Sequence, residues 1–229
     1  PGTITYAQTA GDLLASGTSA LTLTFAPDDT AAFLPTNAMV NLTVDPAALT
    51  VTADDKTREF GASNQALTIT FAGFVNGETT AALSSQPSAS TAADAATLPG
   101  GYPINVSGAV GDNYAVTHVP GTLTVFANLP VVTVPPVSIT VTNGDPATFS
   151  ATVTGTLPLG YQWRKDGGDL PGKTDPTLAI GAATVSDAGA YDLVVSNVGG
   201  SVTSTVANLT VLVPPAITVH PISQEFNAL

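Results

Sequence analysis

The chain has 229 residues, 44% of them hydrophobic and only 10% charged, with 21 Gly, 18 Pro and no cysteine. Its 17 acidic and 5 basic residues leave a net charge of −12, which removes the basic footprint that nucleic acid or an anionic membrane surface requires. The lack of cysteine excludes disulfides, thiol catalysis and thiolate metal sites together, and no apolar run approaches the roughly 20 residues that span a bilayer.

The abundance of Val, Thr, Ala and Leu between Gly- and Pro-rich breaks suits short strands and tight turns and disfavours helices. The expectation is an all-β protein. Residues 1–44 end in the strand NLTV, and Val44-Asp45-Pro46 forms a joint. Between residues 48 and 127 come LTVTADDKTREFG, ALTITFAGFVNGET, GGYPINVSG and DNYAVTHVPGTLTV. Within them Asn76-Gly77 is a two-residue turn signal, because both residue types tolerate positive φ. It is expected to close a strand ending near Phe74, with a short helix following over residues 78–83. A second Pro-containing joint runs over residues 128–136, and Asn143-Gly144 leads into a strand. There Ala147, Phe149, Ala151 and Val153 alternate with Thr148, Ser150, Thr152 and Thr154, the period of a half-buried strand. The phrase NLTV or TLTV recurs at 41–44, 122–125 and 208–211, as expected for repeated modules that hand a last strand to a linker. Pro135-Pro136 and Pro214-Pro215 each precede a first strand, so the joints are expected to be stiff and the whole a semi-rigid string of beads.

Residues 161–213 carry YQWRKDG, DAGAYDLVVSN and ANLTVLV. Trp163, Asp187, Gly189 and Tyr191 in these motifs resemble those of immunoglobulin-type sandwiches of the I-set kind. The resemblance implies that Trp163 lies on strand C between two sheets and that Tyr191 forms the tyrosine corner at the start of strand F. Ala151 and Leu193 stand where that family has its disulfide. A small residue facing a larger apolar one then replaces a bridge whose loss costs about 2 to 5 kcal/mol. Such domains often pair the aspartate of DxGxY with an arginine. No arginine follows Arg164, so Asp187 is left with Lys173 or with capping its own turn. The motifs of residues 48–127 resemble the bacterial MBG-type repeat, with Phe60-Gly61 in place of its YG pair. Residues 1–44 resemble the second half of a bacterial Ig-like repeat. The implied division is 1–46 as that partial repeat, 47–128 as the MBG-type repeat, 129–213 as the immunoglobulin-like domain, and 214–229 as the first strand of a further one. The fold class is tandem Ig-like β-sandwich modules, cut through a module at both ends.

Catalytic chemistry has few candidates. The chain has two histidines, His118 in the alternating run YAVTHV and His220 in the tail, and a hydrolytic triad needs one beside a nucleophile and a carboxylate. No GxSxG elbow, P-loop or HExxH is present. Asp28-Asp29, Asp54-Asp55 and Asp166 with Asp169 offer oxygen ligands to calcium, but none has the spaced pattern of a calcium loop. Solvated turns and charged strand ends account for them. Asn41, Asn105 and Asn208 begin N-x-[ST] triplets within expected strands and are read as structural. Trp163 and Tyr161 would stack on sugar only if exposed, whereas the immunoglobulin pattern buries Trp163.

The function expected is non-catalytic, with no cofactor. The chain reads as a structural or adhesive segment of a large bacterial extracellular or cell-surface repeat protein. Its partners are neighbouring modules or further copies, assembling into a filament by strand exchange, or surface glycans and proteins. Nucleic acid and membrane insertion are not expected. The alternatives are a carbohydrate- or protein-binding module and a spacer of a multidomain secreted hydrolase. Aromatic residues make up only 6% of the chain, which favours a spacer over a stacking surface.

Overall fold

A computed structural model describes residues 1–9 and 11–216. The chain falls into two compact units, Pro1–Arg58 with Ala62–Val125, and Glu59–Gly61 with Phe126–Leu229.

The first unit opens with an antiparallel meander of β1 (Gly2–Tyr6), β2 (Gly17–Pro27) and β3 (Thr36–Val44). The register sets Tyr6 opposite Leu23 and Leu21 opposite Val40. Successive side chains on a strand point to opposite faces. Ile4, Tyr6, Leu21, Leu23, Val40 and Leu42 therefore share one face, and Thr18, Thr22, Thr24, Asn41 and Thr43 the other. The apolar face is largely open, with Ile4 52%, Tyr6 64% and Val40 62% exposed.

Seven strands follow: β4 (Ala47–Ala53), β5 (Lys56–Glu59), β6 (Ile69–Ala72), β7 (Ser88–Ser90), β8 (Gly100–Ser107), β9 (Tyr114–Val119) and β10 (Gly121–Phe126). They form one sheet in the order β6-β4-β9 and another in the order β5-β10-β8-β7. The sheets pack through β4, β8 and β9. Alternation on β4 buries Leu49, Val51 and Ala53, and Leu49 and Val51 join Leu83, Ala109 and Tyr114 in one core. Ile104, Leu123 and Val125 are buried from the second sheet. Gly121 is required by a close approach, since a Cβ there would lie 2.4 Å from the Ala53 carbonyl oxygen.

Asn76 and Gly77 take φ of 54° and 74°, and Glu78 N–H donates to Val75 O at 2.9 Å. Positive φ at both central residues is the signature of a type I′ turn. The preceding strand stops at Ala72, because Gly73 takes φ 115° and breaks the extended backbone before Phe74. The helix expected over residues 78–83 is one 3-10 turn, Thr80–Ala82, with Thr79 Oγ1 accepting from Ala81 N–H.

The second unit is a two-layer sandwich of β11 (Val131–Val134), β12 (Ile139–Thr142), β13 (Ala147–Ser150), β14 (Thr152–Thr154), β15 (Gly160–Lys165), β16 (Gly168–Asp169), β17 (Thr177–Ile180), β18 (Gly189–Asn197), β19 (Gly200–Thr203) and β20 (Ala207–Leu212). One layer runs β12-β20-β18-β15-β16, with β19 also on β18, and β12 pairs with β20 in parallel. The other is formed by β13 with β17 and β14 with β11. β13 and β14 are one run of chain interrupted at Ala151, which changes partner strand there. At the Asn143-Gly144 turn only Gly144 takes positive φ, 99°, and Asp145 N–H closes it onto Thr142 O at 3.0 Å. A second 3-10 turn, Val185–Asp187, has no counterpart among the sequence-based expectations.

The structure is nearly all β. Among the described residues no helix is long and apolar enough to cross a membrane. Of the strand expected over residues 214–229, only 214–216 are described, and they take no regular structure. His220 lies outside the described residues.

Candidate functional site

Trp163 on β15 and Leu193 on β18 are direct cross-strand partners, and both are fully buried. Their strands bring them against Phe149 and Ala147 of β13 and Leu178 of β17 in the facing layer, with Ala151 packed at the edge of this cluster. Phe149 stacks on Tyr191 with ring centroids 4.9 Å apart and lies 6.0 Å from the Trp163 ring. Polar atoms on these rings have protein partners. Trp163 Nε1 donates to Asp175 O at 2.9 Å, and Tyr191 Oη donates to Asp187 O at 2.7 Å. The latter is the tyrosine corner, four residues back along the chain. Burial, reinforced by Asp187 and Asp166, pushes the Tyr191 phenol above its ordinary range. Trp163 is enclosed and so offers no face to a sugar, while Tyr161 is half-buried against the same cluster.

Asp187 serves its own turn. Its Oδ2 accepts from Thr184 N–H at 2.8 Å and Thr184 Oγ1–H at 2.6 Å. These bonds favour the charged form and hold its carboxyl below the ordinary value, with a smaller contribution from Lys165. The cation involved is thus Lys165 and not Lys173; Lys165 Nζ donates to Ser186 O, inside the turn that Asp187 caps. Gly189 follows with φ 156°, where a Cβ would lie 2.8 Å from the Asp166 carboxylate oxygens and from Lys165 Cε.

Several other carboxylates accept hydrogen bonds from their own chain. Asp54 accepts from the hydroxyls of Thr68 and Thr70, which lowers its pKa. Asp55 Oδ1 accepts from Thr122 N–H at 2.6 Å, and Asp29 Oδ1 from Ala31 and Ala32 N–H at 3.0 and 3.1 Å. Asp166 Oδ1 accepts from Ala190 N–H at 2.9 Å, while Asp169 ends the short β16 opposite Arg164. Among the described residues no three His, Asp or Glu side chains converge as a metal site. His118 lies on β9 with Nε2 2.7 Å from Gly108 O. Asn41, Asn105 and Asn208 lie exposed on β3, β8 and β20.

Several polar arrangements have no signal in sequence spacing. Arg164 and Asp192 face each other across β15 and β18 in a two-pronged ion pair of 2.7 and 2.9 Å, which raises the Arg164 pKa. Their juxtaposition depends on strand register, 28 residues apart in sequence. Arg58 is buried: its Nε donates to Asn64 Oδ1 at 2.7 Å and its Nη2 to Asp94 O, while Asn64 Nδ2 donates to Ala93 O. Tyr114 Oη donates to Glu78 Oε2 at 2.5 Å, which raises its pKa, and accepts from Val75 N–H. Glu78 lines a cavity of about 340 Å³ with Leu13, Ser16, Val44, Asn76 and Asn113. Its carboxylate is bound to Tyr114 and faces no histidine there.

Residues 49–124 match the family model of the MBG domain (YGX type), and residues 130–197 match that of the immunoglobulin domain. An MBG module is followed by an immunoglobulin module. Over 97 residues the chain is 39% identical to Endoglucanase C of Cellulomonas fimi, covering 40% of this chain and 9% of that protein. It is also 36% identical over 94 residues to Roundabout homolog 1 of Rattus norvegicus, covering 39% and 6% respectively. The chain thus spans less than a tenth of the length of these curated relatives. A solved structure of a titin M10–obscurin-like 1 Ig complex aligns at 29% identity over 40% of this chain and 100% of that one, with a TM-score of 0.37. MBG and immunoglobulin modules are of a kind that ordinarily carries no catalysis.

Proposed function

We propose that this chain is a non-catalytic structural or adhesive segment of a large bacterial extracellular repeat protein, divided as 1–46, 47–128, 129–213 and 214–229. The observation that carries the reading is where the reactive side chains go. Asp54, Asp55, Asp166 and Asp187 cap turns and strand ends, and Trp163 and Tyr191 fill a core. The likeness to a bacterial endoglucanase supports the extracellular placement. It also favours, as second reading, a spacer of a multidomain secreted hydrolase whose catalytic part lies in another domain.

The open face of β1–β3 supports a proposal for the partner. An apolar face of a three-stranded sheet needs cover from another layer, and the proposed cover is a β-sheet contributed from outside residues 1–229, by flanking chain or by a further copy through strand exchange. The test assays the purified chain against soluble and insoluble β-glucans for turnover and for retention, alongside sedimentation at rising concentration. No turnover is expected, together with association that Val40→Asp abolishes. Saturable turnover would overturn the non-catalytic reading, and monomers at all concentrations would overturn the further-copy form of the partner.

A further inference from the structure

Two Asn-Gly pairs stand exposed in this protein, and the fold treats them differently. At the second, the turn is tied down on every side. Asn143 N–H donates to Leu212 O at 2.8 Å, Gly144 N–H to Ala183 O at 2.8 Å, and Asp145 N–H to Thr142 O at 3.0 Å. At the first, one bond closes the turn, Glu78 N–H to Val75 O at 2.9 Å, and Gly77 N–H has no acceptor among the described residues. The carboxamides of Asn76 and Asn143 are both unbonded among the described residues, both pairs are exposed, and a Cβ at either glycine would meet nothing within 4 Å, so the backbone hydrogen bonds alone distinguish the two turns.

We propose that Asn76-Gly77 is a site of spontaneous backbone-assisted deamidation and that Asn143-Gly144, identical in sequence, is protected from it. The Gly77 amide nitrogen loses its proton and attacks Asn76 Cγ, forming a C–N bond and a five-membered imide. The Cγ–Nδ2 bond breaks, and the nitrogen leaves as ammonia. Water then opens one or the other imide carbonyl, giving aspartate or isoaspartate at position 76; nothing is oxidised or reduced. Attack requires rotation about the Asn76 backbone and a free nitrogen on Gly77. The first turn meets both conditions at the cost of one cross-turn bond. At the second, the attacking nitrogen is itself engaged, and rotation strains three bonds linking β12, β20 and the segment at Ala183. The product places a new carboxylate beside Glu78 in the cavity that Asn76 lines, so age changes the charge where residues 13–16 meet the MBG module.

The experiment incubates the intact chain at neutral pH and 37 °C-like warmth, then maps peptides by mass spectrometry after acidic digestion, with an isoaspartate assay. Conversion at Asn76 is expected to outpace that at Asn143 by at least about tenfold, since each net hydrogen bond retained in the ground state slows opening severalfold. In denaturant the two sites should convert at similar rates, and Asn76→Gln should remove the new acidic species seen on ion exchange. Equal rates in the folded chain, a faster Asn143, or a difference that persists in denaturant would overturn the proposal.

Discussion

At the scale of single residues, Asp187 and Leu193 show how chemistry-bearing and apolar side chains are both turned to structure. The bonds from Thr184 lower the Asp187 pKa beneath its ordinary 3.8. A carboxyl with a depressed folded-state pKa binds fewer protons folded than unfolded, so its stabilisation is present above the ordinary carboxylate range and is lost as pH falls through the folded value. Asp187→Asn should therefore lower stability at neutral pH and flatten the acid limb of the unfolding curve, and Thr184→Val should do so partially. An unchanged acid limb would show that the cap carries no linkage. Leu193 is fully buried against Trp163. Leu193→Ala should destabilise the immunoglobulin module by about 2 to 5 kcal/mol, the range for large-to-small core changes. Urea unfolding followed by the fluorescence of Trp163, the sole tryptophan, reads this directly, and a near-unchanged midpoint would place Leu193 outside the working core.

At the scale of elements, the last strand of the immunoglobulin module is broken between β19 and β20, and Ser204 repairs the break. Its Oγ accepts from the buried Leu193 N–H at 2.9 Å and donates to Thr205 O at 2.9 Å, while its own N–H donates to Leu193 O. Ser204→Ala should leave the Leu193 amide without an acceptor and cost about 1 to 3 kcal/mol, the penalty for an unsatisfied buried donor. Faster hydrogen exchange at Leu193 would be the local readout, and unchanged exchange would show that water takes the place of the hydroxyl. Strand periodicity made β13 and β9 legible in sequence, because alternation of apolar and polar residues reports which face is covered. The break at Ser204 was not legible: Ser-Thr in a Val- and Thr-rich run differs little from its neighbours, and only pairing with β18 shows which residues lose their ladder bonds. The Arg164–Asp192 pair was hidden for the same reason, since register joins residues that spacing does not.

At the scale of the whole molecule, surface charge and the open face of β1–β3 act in opposition. Ile4, Tyr6, Leu21, Leu23, Val40 and Leu42 carry no charge, yet each copy brings a net −12. Copies that meet through this face repel at long range, and salt screens that repulsion over roughly 8 to 10 Å at physiological ionic strength. Association is therefore expected to strengthen as salt rises toward and beyond 0.15 M-like conditions and to weaken in Tyr6→Asp. Sedimentation at several ionic strengths checks it, and association that weakens with added salt would indicate attraction between charged groups in place of apolar contact.

The sequence by itself determined the strand periodicity, the all-β class and the resemblance of residues 48–127 and 161–213 to known modules. These follow from local alternation, from turn residues such as Asn76-Gly77, and from spaced motifs such as the tryptophan of YQWRKDG, all of which act over a few residues. Tertiary structure alone decided what each polar group does. It assigned Asp187 to Thr184, Arg164 to Asp192, Arg58 to the carbonyl of Asp94 and Ser204 to the amide of Leu193. It also separated two Asn-Gly pairs, identical in sequence, into one turn closed by a single backbone bond and one held by three. The physical reason is that a hydrogen bond or ion pair depends on distance and direction in space, which register and packing set, whereas burial of an apolar stripe is written into the order of residues along the strand.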